Sequence, residues 1–359
     1  MAPLAQGLLA DTRFDTKICL TAQHRHMLDQ VMTIFGLHAD YDLNVMTAGQ
    51  SLEGLTVRLL EGMSRVLRDA EPDIVLVHGD TTTTFCASLA AFYQHTRVGH
   101  VEAGLRTGNM LAPWPEEANR RLTAVLTALH FAPTAKARDN LLRENVSDDR
   151  IFVTGNTVID ALLAVSKRID EETDLASRLH QAIGVIDDER RLILVTGHRR
   201  ENFGEAFKRM LLALRAIAEQ HHDVQIVFPV HLNPIVQASV HEILGKTANI
   251  QLIEPLDYLS FVYLLKRAYL VITDSGGIQE EAPSLGKPVL VTREVTERPE
   301  AVEAGTVCLV GCDTQRIFDT ANRLLRAPQA YEAMSQAMNP YGDGQASQRI
   351  IEALANARF

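Results

Sequence analysis

Short apolar runs, rich in β-branched residues, alternate with helix-like stretches along the whole chain, and this alternation constrains the fold most. Each run has the length of a single strand and is bounded by turn residues. Strands that alternate with helices form a parallel sheet with helices on both faces. The predicted strands of the first half are Lys17–Thr21, Asp73–His78, Arg97–His100, Leu129–Ala132 and Ile151–Thr154. Those of the second half are Leu192–Thr196, Val224–Val230, Ile250–Ile253, Leu270–Thr273, Pro288–Thr292 and Thr306–Val310. We therefore predict an α/β fold with two doubly wound, Rossmann-like domains.

The length of the chain, 359 residues, suggests about two domains. The sequence turns polar over Asp170–Arg191 and carries "DDERR" just before a new strand, so we expect the boundary a little earlier, within Gly155–Val165. The predicted N-terminal domain comprises residues 1–154 plus 346–359, and the predicted C-terminal domain comprises residues 155–345. With 46% hydrophobic residues, the chain can fill two substantial cores.

Composition and charge exclude several classes of function. The net charge is −10 and no basic stripe with interleaved aromatic residues occurs, which argues against nucleic acid as a partner. No apolar run is long enough for a membrane span, and the start lacks the basic segment of a signal peptide, so we expect a cytoplasmic protein. The four cysteines form no CxxC pair, and the thirteen histidines show no metal-binding spacing. We expect no metal.

Polar residues follow several predicted strands directly, where ligands collect in doubly wound sheets. These stretches are "HGDT" at 78–81, "HVEAG" at 100–104, "GHRREN" at 197–202 and "DSGG" at 274–277. A fold of this class more often shows one or two polar strand ends. We therefore expect a ligand-binding cleft between two facing halves.

Ser275-Gly276-Gly277 falls where a strand turns into a helix. Unpaired N–H groups and the positive end of the helix dipole favour an anion there, and glycine lets a phosphate approach the backbone. The alternative is an ordinary turn in which the serine caps the helix. These three residues alone do not decide between the two interpretations.

The sequence motifs resemble those of the bacterial non-hydrolysing UDP-N-acetylglucosamine 2-epimerases, in the family's order and over essentially the whole chain. They are "HGDTTTT", "VGHVEAGLRTG", "PWPEEANRRL", "GNTVIDAL", "GHRREN", "PVHLNP", "DSGGIQEEAPSLGKPVLV", "TERPEAV" and "NPYGDGQAS". The resemblance implies a glycosyltransferase-B-like fold, a homodimer and reversible conversion of UDP-N-acetylglucosamine into UDP-N-acetylmannosamine for envelope polysaccharide synthesis. The family mechanism eliminates UDP to a glycal-like intermediate, adds it back with C2 inverted, and needs no redox cofactor.

By this resemblance Asp80, Glu102 and Glu116 are the acid–base residues, although the sequence does not say which of them takes the C2 proton. Carboxylates suit this work where burial or a like charge raises the pKa. For Asp80 the alternative is a helix cap or a solvated acid. For Glu116 it is a charged first turn shared with Glu117. For Glu102, a helix-cap role is not expected, because the residue follows a predicted strand between His100 and Gly104.

The resemblance also implies the UDP ligands. His198 is placed at the diphosphate and Arg199 beside it, with a solvated helix start as the alternative for Arg199. Ser275, Gly276 and Gly277 would meet the diphosphate and Glu281 the ribose, while Glu280 is expected to face away. Phe261 and Arg298 also match family positions near the nucleotide. The alternative for Phe261 is an aromatic residue of the core, and the alternative for Arg298 is a surface ion pair.

Three details stay open at the level of sequence. Leu256 departs from the glutamine that many relatives carry near the base, so we expect backbone atoms to hold the uracil there. Some relatives bind a second UDP-N-acetylglucosamine as an activator, and Gln23, Arg25 and His231 match that site, but His26 and Gly49 differ from the activated pattern. The rival functions are a hydrolysing epimerase, a retaining glycosyltransferase and a nucleotide-sugar-binding module without catalysis.

The start of the chain departs from the expected pattern. Residues 2–9 read as a helix with no strand before them, whereas a doubly wound half begins with a strand. In the family that strand is followed by a loop resembling "GTRPEAIK", which runs directly into "MAPL". We therefore expect residues 1–359 alone to be poorly stable and nearly inactive, and about fifteen upstream residues to restore both properties.

Overall fold

The computed structural model describes residues 1–22, 25–47, 49–197 and 204–357. These residues form two compact units, one made of residues 1–161 with 341–359 and the other of residues 162–340. The described strands are β1 (Cys19–Leu20), β2 (Tyr41–Asp42), β3 (Ile74–His78), β4 (Arg97–Val101), β5 (Leu129–Ala132), β6 (Ile151–Val153), β7 (Arg191–Thr196), β8 (Val224–Pro229), β9 (Ile250–Ile253), β10 (Ala268–Thr273), β11 (Val289–Val291) and β12 (Val307–Leu309).

The helices separate the strands, as the alternation in the sequence predicts. They are α1 (Ala2–Ala10), α2 (Arg25–Ile34), α3 (Leu52–Ala70), α4 (Thr82–Tyr93), α5 (Glu116–Leu126), α6 (Ala135–Arg143), α7 (Thr157–Glu171), α8 (Thr173–Ile183), α9 (Glu205–Gln220), α10 (Pro234–Leu244), α11 (Tyr258–Arg267), α12 (Gly276–Ser284), α13 (Pro299–Glu303), α14 (Thr314–Arg326), α15 (Pro328–Ser335) and α16 (Ala346–Asn356). No helix within these described ranges has the length and hydropathy to cross a bilayer.

The first unit contains two parallel sheets. β1 and β2 pair with each other, and β3, β4, β5 and β6 form a four-stranded sheet in that spatial order. Register pairs His78 with Val101 and Val101 with Phe131, so β3, β4 and β5 end at one edge. The segments that follow β3 and β4 therefore leave the sheet side by side.

The second unit is built on one six-stranded parallel sheet in the order β12-β11-β10-β7-β8-β9. Thr273 at the end of β10 pairs with Thr196 of β7 on one side and with Val291 of β11 on the other. The strand order reverses beside β7 and β10, and such a switch point opens a crevice beyond the strand ends. The turn into α12 leaves the sheet at this point.

Apolar side chains from both faces of the six-stranded sheet pack against the flanking helices. Ile193 and Phe228 of the sheet and Leu211 and Leu214 of α9 are fully buried in one continuous cluster. Burial of each such side chain stabilises the fold by roughly 1.5–3 kcal/mol. This packing provides a rigid base from which the strand ends project.

The predicted α/β fold with parallel sheets is confirmed, and each predicted strand overlaps an observed one. The helix predicted at residues 2–9 is observed as α1. The sequence did not predict β2, because Tyr41-Asp42 has no apolar run and its two residues pair only with Cys19-Leu20.

Candidate active site

The turn after β3 carries Asp80 at the edge of the four-stranded sheet. Gly79 adopts a φ of +69°, which reverses the chain before α4 begins. Thr81 caps that helix, since its hydroxyl accepts a hydrogen bond from the backbone N–H of Thr84. The alternative interpretation of Asp80 as the helix cap is therefore wrong.

Asp80 is instead paired with Arg120 of α5. The Arg120 Nε and Nη2 atoms donate to Asp80 Oδ2 at 3.0 and 2.7 Å. Asn119 Nδ2 donates to the Asp80 carbonyl oxygen at 2.9 Å, so α5 fixes both the backbone and the side chain of Asp80. The carboxylate remains partly accessible, with 24% of the side chain exposed.

Glu102 directly follows β4 in a conformation that is uncommon for a residue with a side chain. Its φ is +66°, and such strained positions persist where the surroundings determine them. Asn156 Nδ2 donates to Glu102 Oε2 at 2.9 Å. The other carboxylate oxygen, Oε1, lies against Gly79, 3.4 Å from the position that a Cβ atom on Gly79 would occupy. His100 Nε2 donates to the Gly79 carbonyl oxygen at 2.7 Å. The structure thus brings Glu102 beside the turn that carries Asp80.

Glu116 is the first residue of α5, and its Oε2 atom is buried without a hydrogen-bond partner among the described residues. Residues four apart share a helix face, so Glu116 lies on the face from which Arg120 reaches Asp80. Glu117 is fully buried and accepts from the backbone N–H groups of Thr107 and Gly108 at 3.0 and 3.2 Å. Both acids do stand in the first turn of α5, as the alternative interpretation has it, and Glu117 is buried there.

Three histidines of the same sheet lie beneath this edge, with His100 and His130 buried and His78 half-buried. Burial lowers the pKa of His78 and His130 to about 3 and that of His100 to about 4. These imidazoles are therefore neutral near pH 7. They contribute shape and hydrogen bonds to the site, while the charge there belongs to the carboxylates and Arg120.

In the second unit, the turn after β10 leads into α12 through Asp274 and Ser275. Ser275 occupies the N-cap position but makes no side-chain capping bond, and its N–H donates to Thr273 Oγ1 at 2.9 Å. The alternative of a serine-capped turn is therefore not what the structure shows. A Cβ placed on Gly277 would meet nothing within 4 Å, so the helix N-terminus is open there.

Arg298 lies over this N-terminus. Its guanidinium is 3.5 Å from where a Cβ on Gly276 would stand, and its Nε donates to Glu280 Oε1 at 2.7 Å. The two side chains are 14% and 2% exposed, so the pair is not the surface ion pair that was the alternative for Arg298. Glu280, expected only to face away from the ribose site, anchors this arginine.

Glu281 is buried beside Glu280 and near Tyr258 of α11. Burial raises the pKa of Glu281 to about 8, and the charge of Glu280 adds to the increase. Burial also raises the pKa of Tyr258, with the Glu281 charge as the next cause. The Glu281 carboxyl is therefore mostly protonated at pH 7, a form that offers both a hydrogen-bond donor and an acceptor. Phe261 is half-buried on the same helix α11.

The remaining predicted residues are exposed or lie outside the described ranges. His198, Arg199 and Gln23 lie outside the described residues. Arg25 is exposed on α2 and pairs with Asp29 and Asp42. His231 is exposed, and its Nδ1 accepts from the N–H of Asn233 at 3.1 Å. Within the described ranges, no group of His, Cys, Asp and Glu side chains is arranged to hold a metal ion.

Sequence reasoning did not single out Arg120, Asn156 or Glu117. All three belong to motifs quoted above, "PWPEEANRRL" and "GNTVIDAL". The available signal was a polar residue close to a predicted acid. Which of two adjacent acids, or of two adjacent arginines, lies on the buried face of a helix cannot be read from the sequence. Their partners become clear only from the packing of α5 and α7 on the sheet.

The chain matches the family model described as UDP-N-acetylglucosamine 2-epimerase over residues 6–355. It is 59% identical over 359 residues to UDP-N-acetylglucosamine 2-epimerase of Escherichia coli (strain K12), covering 100% of this chain and 96% of that protein.

Solved structures give the same result. The Neisseria meningitidis UDP-GlcNAc 2-epimerase bound to UDP-GlcNAc superposes with a TM-score of 0.93 at 51% identity, covering 99% of this chain and 96% of that one. The Methanocaldococcus jannaschii enzyme, in complex with UDP-GlcNAc and UDP, has a TM-score of 0.83 at 33% identity, with coverage of 99% and 96%. On these grounds, the chain belongs to the UDP-N-acetylglucosamine 2-epimerase family.

Proposed function

We propose that this protein epimerises UDP-N-acetylglucosamine at C2 to UDP-N-acetylmannosamine, reversibly. The observation that carries the proposal is the cluster of Asp80, Glu102 and Glu116 around the ends of β3 and β4. Inversion at carbon needs one group to remove a proton from one face of the sugar and another to deliver one to the opposite face. Carboxyl groups with different hydrogen-bond partners meet that need.

The proposed reaction is an elimination followed by an addition. A carboxylate takes the C2 proton, the C2–H electron pair forms the C1=C2 bond, and the C1–O bond breaks to release UDP within the site. Adding a proton to the other face of C2 and UDP to C1 gives the manno product. Electrons and atoms balance without an oxidant or reductant.

UDP is proposed to bind at the N-terminus of α12. The open backbone at Gly277, the guanidinium of Arg298 and the helix dipole all favour a diphosphate. Ser275 and Gly276 complete this turn, and His198 with Arg199 is proposed to join it. Glu281 is proposed to bind the ribose hydroxyls, and Phe261 is proposed to lie beside the uracil.

A homodimer is also proposed. α4 packs between α3 and α5, and these helices expose large apolar side chains of the kind that subunit contacts bury. They are Val57, Phe92, Tyr93, Leu122 and Val125, exposed by 47% to 84%. Sedimentation of Val125→Glu should show a monomer if these helices form the interface, and an unchanged dimer would place it elsewhere. A cytoplasmic location and a role in envelope polysaccharide synthesis stay predictions.

The test is incubation with UDP-N-acetylglucosamine in deuterated water, followed by NMR. We expect deuterium at C2 and the manno epimer still attached to UDP. Free N-acetylmannosamine with released UDP would identify a hydrolysing epimerase instead. Bound nucleotide sugar without C2 exchange would identify a binding module.

A further inference from the structure

Arg120 is a buried arginine whose single guanidinium joins two acids. Its side chain is 8% exposed, and it bonds Asp80 on one side and Glu117 on the other. The bond from Nη1 to Glu117 Oε2 is 2.9 Å long. A buried arginine in two charge-assisted contacts holds its partners in a fixed geometry, because its planar guanidinium presents several donors in a rigid arrangement.

The geometry at Asp80 is asymmetric. Both Arg120 donors, Nε and Nη2, reach the same carboxylate oxygen, Oδ2. With Oδ2 held in this way, the side chain of Asp80 has one orientation, and Oδ1 is the oxygen left to face a substrate. The Asn119 bond to the Asp80 carbonyl fixes the backbone of the same residue from the same helix.

On its other side, Arg120 is tied to the loop after β4. Glu117 accepts from Arg120 and from the backbone N–H groups of Thr107 and Gly108. The guanidinium therefore links the turn after β3, the loop after β4 and the first turns of α5. Glu116, on the same helix face one turn earlier, is held relative to Asp80 by this link.

We propose that Arg120 is a positioning residue for epimerisation, acting through Asp80 by fixing which carboxylate oxygen faces the sugar. It does not itself touch the substrate. The inference rests on the proposed acid–base role of Asp80. A lysine in its place keeps the charge but presents a single nitrogen, which cannot reproduce the two-nitrogen contact with Oδ2.

The experiment is a kinetic double-mutant cycle on the full chain with Asp80→Asn, Arg120→Lys and the double variant. We expect Arg120→Lys to lower kcat by about 100-fold, the effect of a catalytic group misplaced by about 1 Å. KM and the affinity for UDP should change by less than about threefold. In the Asp80→Asn background, Arg120→Lys should lower the remaining rate by less than about threefold. This rate is measured as slow incorporation of deuterium at C2.

Two outcomes would overturn the inference and are distinguishable. In the first, Asp80→Asn is nearly inactive, but Arg120→Lys lowers the rate by the same factor in the Asp80→Asn variant as in the wild type. Arg120 then acts on folding or on another group, and the role of Asp80 stands. If Asp80→Asn keeps full activity, the proposed role of Asp80 fails and the inference fails with it.

Arg121 provides the matched control. It is the next residue of α5 and lies 3.4 Å from Glu117 Oε1 and 3.9 Å from Glu144 Oε1. Arg121→Lys should leave kcat within about twofold, because the Arg121 side chain is 42% exposed and a lysine keeps the positive charge beside Glu117. Melting temperatures of both lysine variants establish that they fold. A loss of kcat in Arg121→Lys equal to that in Arg120→Lys would contradict a specific role for Arg120.

Discussion

The two strand-end regions of this protein each pair an acid with an arginine, but they differ in how the neighbouring acid is held. Beyond the four-stranded sheet, Asp80 and Glu102 accept hydrogen bonds from Arg120 and Asn156. Beyond the six-stranded sheet, Glu280 is paired with Arg298 and buried, and the pKa of its neighbour Glu281 is raised to about 8.

The comparison shows how one strand–turn–helix arrangement can be suited to two kinds of chemistry. In the second unit, the two acids within α12 are neutralised, Glu280 by its pairing with Arg298 and Glu281 by protonation, so neither opposes the attraction of the positive helix N-terminus for an anion. In the first unit, the carboxylates are oriented and partly accessible, and so are suited to proton transfer. The contrast supports the proposal that the first edge supplies the base and the second binds the diphosphate.

The largest expected effect tests the first edge. Glu102→Gln preserves the shape and the contact with Asn156 but removes the titratable group, so we expect kcat to fall by about 10³-fold, within the range of general acid–base catalysis. The affinity for UDP, measured by calorimetry, should stay the same. Glu61→Gln, an exposed acid on α3, is the control. Undiminished C2 exchange in Glu102→Gln would remove Glu102 from the acid–base set.

The second expected effect tests whether Glu281 is held protonated. Its folded-state pKa of about 8 lies above the ordinary value of 4.5, so the folded protein binds more protons than the unfolded chain between these values. Stability therefore falls as pH rises, by up to about 1.4 kcal/mol per pH unit, and the fall levels off above pH 8. The neutral isostere in Glu281→Gln should lack this slope.

Urea unfolding of the wild type and Glu281→Gln at pH 6 and pH 8 checks this expectation. The wild type should lose about 2 kcal/mol relative to the variant over that interval. Parallel pH dependence in the two proteins would show that Glu281 is ionised in the folded state. The contrast between the two edges would then no longer include a protonated acid in α12.

The fold was predictable because β-branched apolar runs and the turn residues between them are local features. The roles of Asp80, Glu102, Ser275 and Glu281 were predicted from motif resemblance, and they stay predictions. Their settings were not predictable, since the sequence "EEANRR" does not reveal that the second acid and the first arginine are the buried ones. Pairing of this kind depends on tertiary packing, not on spacing.

The smallest expected effect tests the second edge at Gly277. A side chain there meets nothing within 4 Å, and an acid in the first turn of a helix stabilises it by about 0.3–1 kcal/mol, so Gly277→Asp should fold normally. The new carboxylate would stand where the diphosphate is proposed to bind, and we expect like-charge repulsion, on the order of 1–4 kcal/mol at about 4 Å, to lower UDP affinity roughly tenfold. Gly277→Ala supplies the control for added bulk, and calorimetry should show near wild-type affinity for it. The loss in Gly277→Asp should shrink as salt is raised, because the repulsion between exposed charges is screened. Equal affinity in the alanine and aspartate variants at low salt would place the diphosphate away from the N-terminus of α12 and would end the assignment of this edge to anion binding.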